Sequence, residues 1–148
     1  LQAGALQDEW STDFGIGCKY FSQDAVIKLA PVAGIDVPAD LSLAEKLKFV
    51  QKLMEADDER AQAIFETIGA YLAYTVVLYN QFYDLEYLML LGRVMSGKGG
   101  DTILRVCNEV LADEYPELYS KCLVTLPDEK MRRVGQSVAA ASLPEIRK

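Results

Sequence analysis

The stretch YLMLLGRVMSGKGGDTIL, from Tyr87 to Leu104, decides how this chain is read. A brief apolar run bounded by turn signals, YLMLL, reads as a buried strand. Gly92, Gly97, Gly99 and Gly100 then mark a tight turn, since glycine alone adopts every backbone conformation such a turn demands. Beyond it, DTILRVCNEVLADEY places Ile103, Val106, Cys107 and Val110 at helical spacing, with Pro116 shortly past the end. Strand, glycine turn and helix in succession raise three possibilities: a phosphate loop, the adenosine side of another nucleotide fold, or a turn that is structural only.

Working upstream, an uncharged run extends from Thr67 to Tyr83 and belongs to a helix expected from about Glu59 to about Tyr83, with Asp57 or Asp58 as its cap. Its first half is amphipathic, with Ala61, Ile64, Phe65 and Ile68 inward. Its second half, GAYLAYTVVLYN, is apolar nearly all round and is expected to be buried on most faces. The run approaches the length of a membrane span. Tyr71, Tyr74, Tyr79, Asn80, Gln81 and Tyr83 make it too polar for one, so no membrane partner is expected.

Before that helix, Ser42-Leu43-Ala44-Glu45 is a capping box that starts a helix whose apolar face is Leu43, Leu47, Val50 and Met54. SQDAVIKLAPVAGI, capped by Ser22, predicts a shorter helix ended or kinked by Pro31 and stopped by Gly34. Residues 1–20 have no sustained period and read as irregular chain or short edge structure. Downstream, KCLVTLP predicts a second strand and RRVGQSVAAASLPEIRK a closing helix in which Gly135, Ala139 and Ser142 allow close contact. Alternating strands and helices predict a helix-rich α/β chain with parallel pairing. Two strands do not complete a doubly wound sheet, so the early segment or another chain is expected to supply the rest.

Composition limits function. The 148 residues, 51% apolar, suffice for one core and form a single expected domain, residues 1–148. The chain begins with Leu1, which suggests a processed product or a piece of a longer protein. A net charge of -7 argues against direct nucleic-acid contact, which needs a clustered basic footprint. Three cysteines without a Cys-x-x-Cys pair, and no histidine, predict a reducing cytoplasmic setting. The missing histidine also removes Ser-His and Cys-His catalysis. Leu1 to Gly17 lacks a basic start and carries Asp8, Glu9 and Asp13, unlike a signal peptide.

As a Walker loop, Gly92-x-x-x-x-Gly97-Lys98 would wrap phosphate and send Lys98 to its terminal oxygens. Gly99 stands where Ser or Thr should hold magnesium, and Ser96 and Thr102 fall outside that place. Asp128, after LVTLP, is the only partner carboxylate this reading offers. As a structural turn, the glycines permit a sharp bend and Lys98 is solvated.

In the third reading the chain, from about Gly17 onward, resembles the C-terminal part of the ROK family (repressors, open reading frames and sugar kinases). DERAQAIFETIGAYLAYTVVLYNQFYDLEYLMLLGRVMSG is similar to the family's long helix, strand and Gly-Gly-x-x-Ser turn. GDTILRVCNEVLADEYPEL resembles the helix that follows, and RRVGQSVAAAS its closing helix. The resemblance implies the C-terminal lobe of an actin-like ATPase, ribonuclease H-like fold. It implies ATP as cofactor, with Gly92, Arg93, Ser96, Gly97, Gly99 and Gly100 as cofactor-binding residues. Gly92 would admit the adenine or ribose, and Gly97, Gly99 and Gly100 would keep the helix start open. Arg93 replaces a second glycine, where its side chain would crowd the nucleotide or stack on it. The family's zinc motif would fall on Ser11 to Tyr20, where only Gly17-Cys18 survive, so no zinc is expected.

The family's Asp-x-Gly-Gly-Thr, Asn-Asp and Glu-x-Gly-His motifs occur nowhere in the chain. Phosphoryl transfer without them loses positioning and charge stabilisation, so no catalytic residue is expected and the chain alone is inert. The implied partners are a missing N-terminal lobe or another copy of the chain, with a nucleotide or sugar between lobes. The alternative function is an interaction or dimerisation module without a ligand.

Overall fold

A computed structural model describes residues 5–127 of the chain. The expected closing helix and Asp128 lie outside the described residues. Six helices and two short strands follow in the order α1 (Cys18–Phe21), α2 (Gln23–Val32), α3 (Leu43–Glu55), α4 (Glu59–Asn80), β1 (Tyr87–Met89), α5 (Gly97–Glu114), α6 (Pro116–Lys121) and β2 (Leu123–Thr125). A single 3-10 turn, Arg93–Met95, separates β1 from α5.

Local sequence chemistry fixes most helix starts. The Ser22 hydroxyl accepts from the Asp24 amide at the start of α2. At α3 the Ser42 and Glu45 side chains each bind the other's backbone amide, the reciprocal capping box. The Asp58 carboxylate accepts from the amides of Arg60 and Ala61 and so caps α4. Its guanidinium partner Arg60 holds the Asp58 carboxyl down to about 2.

Both prolines lie at helix ends, as the sequence predicts, and one of them also begins a further helix. Pro31 sits inside the last turn of α2, which runs one residue further before Gly34 turns the chain at φ 74°. Pro116 occupies the first turn of a helix that the sequence pattern did not predict. Its missing amide costs nothing there, because the first amides of any helix lack an internal partner.

The core is built around α4. Ala61, Ile64, Phe65, Ile68, Gly69, Leu72, Ala73 and Val76 are buried on it. Leu47, Val50 and Met54 of α3, Val26 and Ala30 of α2, and Ile103, Cys107 and Leu111 of α5 complete the same cluster. Leu43, expected on the buried face of α3, is exposed instead, because it opens the helix beyond the reach of its neighbours.

β1 and β2 pair in parallel, Tyr87 with Leu123, Leu88 with Val124 and Met89 with Thr125. Bonds from the Leu123 amide to the Glu86 carbonyl, 2.8 Å, and from the Leu90 amide to the Thr125 carbonyl, 2.9 Å, extend the ladder. The chain is therefore a helix-rich α/β protein. The expected strand Tyr87–Leu91 is shorter at its far end, Met89 being the last residue paired in the register. Among the described residues the early segment adds no strand to this sheet. It contributes one isolated antiparallel bridge, Gln7 with Phe14, and the single turn of α1.

The second half of α4 departs from expectation. One side is covered, by α5 and by the β1 segment, but Tyr71, Tyr74, Leu78 and Tyr79 are exposed. Apolarity all round the helix is matched by neighbours on one side only. By length and composition α4 is also the one helix among the described residues that would suit a membrane span.

The covered side depends on a glycine. A Cβ at Gly69 would lie 2.8 Å from Val106 Cβ and 2.9 Å from the Ile103 carbonyl oxygen. Neither atom is the end of a flexible side chain, so the helices would have to separate. Gly69→Ala is expected to lose about 1–2 kcal/mol, overpacking of about 1–3 kcal/mol exceeding the gain of up to about 1 kcal/mol in helix propensity. A thermal melt checks this, and a raised melting temperature would refute the close contact.

Candidate functional site

The glycine turn lies at the carboxyl end of β1, between that strand and α5. Gly92 has φ 120°, ψ 168°, a conformation that L side chains adopt rarely and only under strain, and open space where a side chain would stand. Arg93 and Ser96 are exposed beside it. Ser96 is the N-cap of α5, yet its hydroxyl makes no capping bond.

A side chain from elsewhere does the capping. The Lys98 amide donates to Glu55 Oε1 at the end of α3, 3.1 Å away. A carboxylate in that place meets both an unpaired amide and the positive end of the helix. Gly97 makes the approach possible, for a Cβ there would fall 2.6 Å from the same oxygen. Gln51, one helical turn earlier on α3, donates from Nε2 to the Arg93 carbonyl, 3.0 Å, and to the Ser96 carbonyl, 3.5 Å. Thus α3 holds the turn at both ends.

Lys98 turns back toward the α3–α4 corner. Its ammonium donates to Asp57 Oδ1, 2.8 Å, and to the Glu55 carbonyl, 3.2 Å. The Asp57 carboxylate beside it raises the lysine's affinity for its proton. This geometry opposes the Walker reading, in which Lys98 would extend over the turn; the lysine stays exposed, as the structural-turn reading expects, while pairing with Asp57.

The six residues implied by the family resemblance divide into two groups. Gly92, Arg93, Ser96 and Gly97 are exposed on the turn. Gly99 and Gly100 are buried, and their missing side chains serve packing. A Cβ on Gly99 would lie 2.6 Å from the Phe65 ring, and one on Gly100 would lie 2.2 Å from the Met95 carbonyl oxygen. The turn is open at Gly92, where an added Cβ would meet no atom within 4 Å. It does not suit a phosphate at the start of α5, where the Glu55 carboxylate already stands.

Behind the turn, an apolar cleft of about 180 Å³ runs between α4 and β1, lined in part by Leu72, Thr75, Tyr79, Leu90, Leu91 and Val94. Glu55, Gln51 and Asp57, which position the turn, escape sequence reasoning because nothing local in α3 reveals a partner forty residues away.

The segment where the zinc motif would fall is organised by Lys19. Its ammonium is buried among Asp8 at 3.1 Å, Asp24 at 2.8 Å and Glu9, while Lys28 shares Glu9 and Asp24. The Asp8 carboxylate also accepts from the Ser11 amide at 2.8 Å, so a single cation and a turn amide bind the irregular segment to α2. Cys18 Sγ lies 3.8 Å from Asp8 Oδ1, and burial raises its thiol above the ordinary range. Among the described residues no group of three or more His, Cys, Asp or Glu is arranged to hold a metal.

Comparison of the chain with protein-family models, with curated proteins and with solved structures finds no match.

Two predictions follow from these geometries. Gly100→Ala must push into backbone and is expected to destabilise by about 1–3 kcal/mol through overpacking. Gly92→Ala meets no atom and loses only the backbone strain of about 1–2 kcal/mol, with the fold retained; urea titration measures both. Separately, the Ser11 amide and the Lys19 ammonium hold the carboxyls of Asp8 and Glu9 at about 2. Their folded values lie below ordinary ones, so the clasp is fully present above the usual carboxylate range and is lost as pH falls toward 2. Carboxyl titration by NMR should place both midpoints near 2; midpoints near 4 would mean that the clasp does not form.

Proposed function

We propose that this chain is the C-terminal lobe of a ROK-like sugar kinase or transcriptional regulator, an actin-like ATPase lobe that supplies the adenosine or sugar side of a ligand cleft and a subunit interface. The observation that carries the reading is Gly92. It sits at the carboxyl edge of a parallel strand pair, the usual place for ligands in open α/β sheets, with free space in front of it and a backbone conformation that favours glycine.

The unfinished sheet supports the same reading. Tyr87, Met89 and Leu123 alternate with the inward Leu88 and Val124 and are exposed together with Leu91. A two-stranded sheet with one apolar face open is half of a layered structure, and a missing N-terminal lobe would complete it. The phosphate groups and the catalytic carboxylate would then belong to that lobe, in keeping with the carboxylate of Glu55 at the start of α5. The three free thiols suit a reducing, cytoplasmic compartment.

The alternative is an interaction module in which the turn has no ligand. It is favoured by Gly99 and Gly100, whose absent side chains are accounted for by packing alone.

Amide NMR with adenosine and with ATP separates the two. The lobe reading expects weak binding of both, about millimolar as befits half a site, with shifts centred on Gly92 to Ser96. ATP should bind no tighter than adenosine, and the chain should transfer no phosphate to a hexose. Gly92→Ala should abolish the shifts while leaving the fold intact. If adenosine at about ten times that concentration moves no amide in the turn, the lobe reading fails and the interaction module stands.

A further inference from the structure

The strand pair has two faces, and the described residues cover one of them. Leu88 and Val124 turn inward onto the core, with α5 behind β2. On the other face Tyr87, Met89 and Leu91 of the β1 segment and Leu123 of β2 are 73%, 55%, 66% and 55% exposed. The register sets Tyr87 beside Leu123, and strand alternation puts Met89 and Leu91 in line with Tyr87, so the four side chains form one patch. Parallel strands rarely leave an apolar face in water, because their sheets are covered on both sides. Among the described residues this face lacks its layer.

The chain continues from the same place. Thr125, the last residue of β2, pairs with Met89, and its carbonyl accepts from the Leu90 amide at 2.9 Å. After Leu126 and Pro127, residues 128–148 therefore leave the sheet at its carboxyl edge, level with Leu91 by the same register. In that segment DEKMRRVGQSVAAASLP predicts one helix, with Asp128 as cap, Glu129 in the first turn and Pro144 as stop. Met131, Val134, Val138 and Ala141 follow at helical spacing and share one face, whereas Arg132, Arg133 and Gln136 fall on the opposite one. Gly135 and Ser142 flank the apolar stripe and leave room beside it for large partners.

We propose that this helix, residues 129–143, is the layer that covers the outer face of β1 and β2, with its stripe from Met131 to Ala141 packed on the patch. The lengths agree. The stripe runs about 15 Å, and Tyr87 to Leu91 spans about 13 Å of strand. A helix that starts at the carboxyl edge runs back along the strands, which sets Met131 by Leu91, Val134 by Met89, and Val138 by Tyr87 and Leu123. Charge agrees as well. The segment 128–148 is basic, with five Lys and Arg to three Asp and Glu, within a chain of net charge -7, so the rest of the chain attracts it. A layer of side chains leaves the backbone groups at the strand edges free for pairing. Those edges are what remains for the lobe of the proposed function, on whose ligand reading this inference does not rest.

The full chain carrying Cys18→Ser and Met89→Cys, which removes the exposed native thiol and places one on the patch, provides the test. With Val134→Cys or Val138→Cys added, copper phenanthroline should close a bridge within one chain, seen as faster migration on a non-reducing gel. With Ala140→Cys, on the opposite side of the helix, it should not. Without a third change, the thiol introduced at position 89 should react slowly with a maleimide. Adding Val134→Asp should speed that reaction at least about tenfold, since an apolar contact is lost and a charge resists burial. Cys107 and Cys122, buried in the core, should stay unreactive throughout and so report that the fold is intact. Ala140→Asp should leave the rate unchanged. No bridge, bridges between chains, which would give the face to a second copy, an equal yield from Ala140→Cys, or a maleimide rate indifferent to Val134→Asp would each overturn the proposal.

Discussion

The contact of α4 with α5 at Gly69 is the constraint on which the rest of the structure depends. Because no side chain intervenes there, the two helices run close enough for Val106 to rest on the α4 backbone and for Gly99 to seat against the Phe65 ring. α5 connects the two strands of the parallel pair, so its position against α4 fixes where β1 ends and where β2 can return. The glycine turn is the short path left between a strand and a helix that are both already held.

From that constraint the character of the turn follows. Gly100 must lie on the Met95 carbonyl, Gly99 on Phe65, and the first free amide of α5 must point toward the end of α3. An amide at a helix start attracts an anion, and here the nearest one belongs to the chain. Glu55, Gln51 and Asp57 together hold the turn from α3 and its corner with α4, leaving Gly92 as the part of it not committed to packing. Rigidity at the helix end and freedom at Gly92 are two results of the same arrangement.

Much of this was legible in the sequence. Ser42 with Glu45, Asp58 and Ser22 state their helices within four residues, because a cap is a local bond between near neighbours. The strand pair was legible too, from brevity and flanking breakers. What was not legible depended on distance. Pro116 could mark an end or a beginning, and only the fold assigns it to the first turn of α6. Lys98 in a glycine-rich string suggests phosphate until Asp57 takes it, and no local pattern announces that Lys19 is enclosed by Asp8, Glu9 and Asp24. The uniform apolarity of the second half of α4 gave no direction, so which side lay open had to come from its neighbours.

The uncovered surfaces carry the functional argument because they are not alike. On the sheet, Tyr87, Met89, Leu91 and Leu123 alternate with the half-buried Leu88 and the buried Leu90 and Val124, and among the described residues no third strand pairs with β1 or β2. The lobe proposed above would add sheet there, and the closing segment the covering layer. On α4 the backbone is fully satisfied within the helix and only side chains are open, graded from small to large along one stripe. The glycine turn lies next to the first surface, at the carboxyl end of β1. The two open surfaces therefore differ in what could cover them, backbone pairing at the sheet edge and side-chain packing alone on α4.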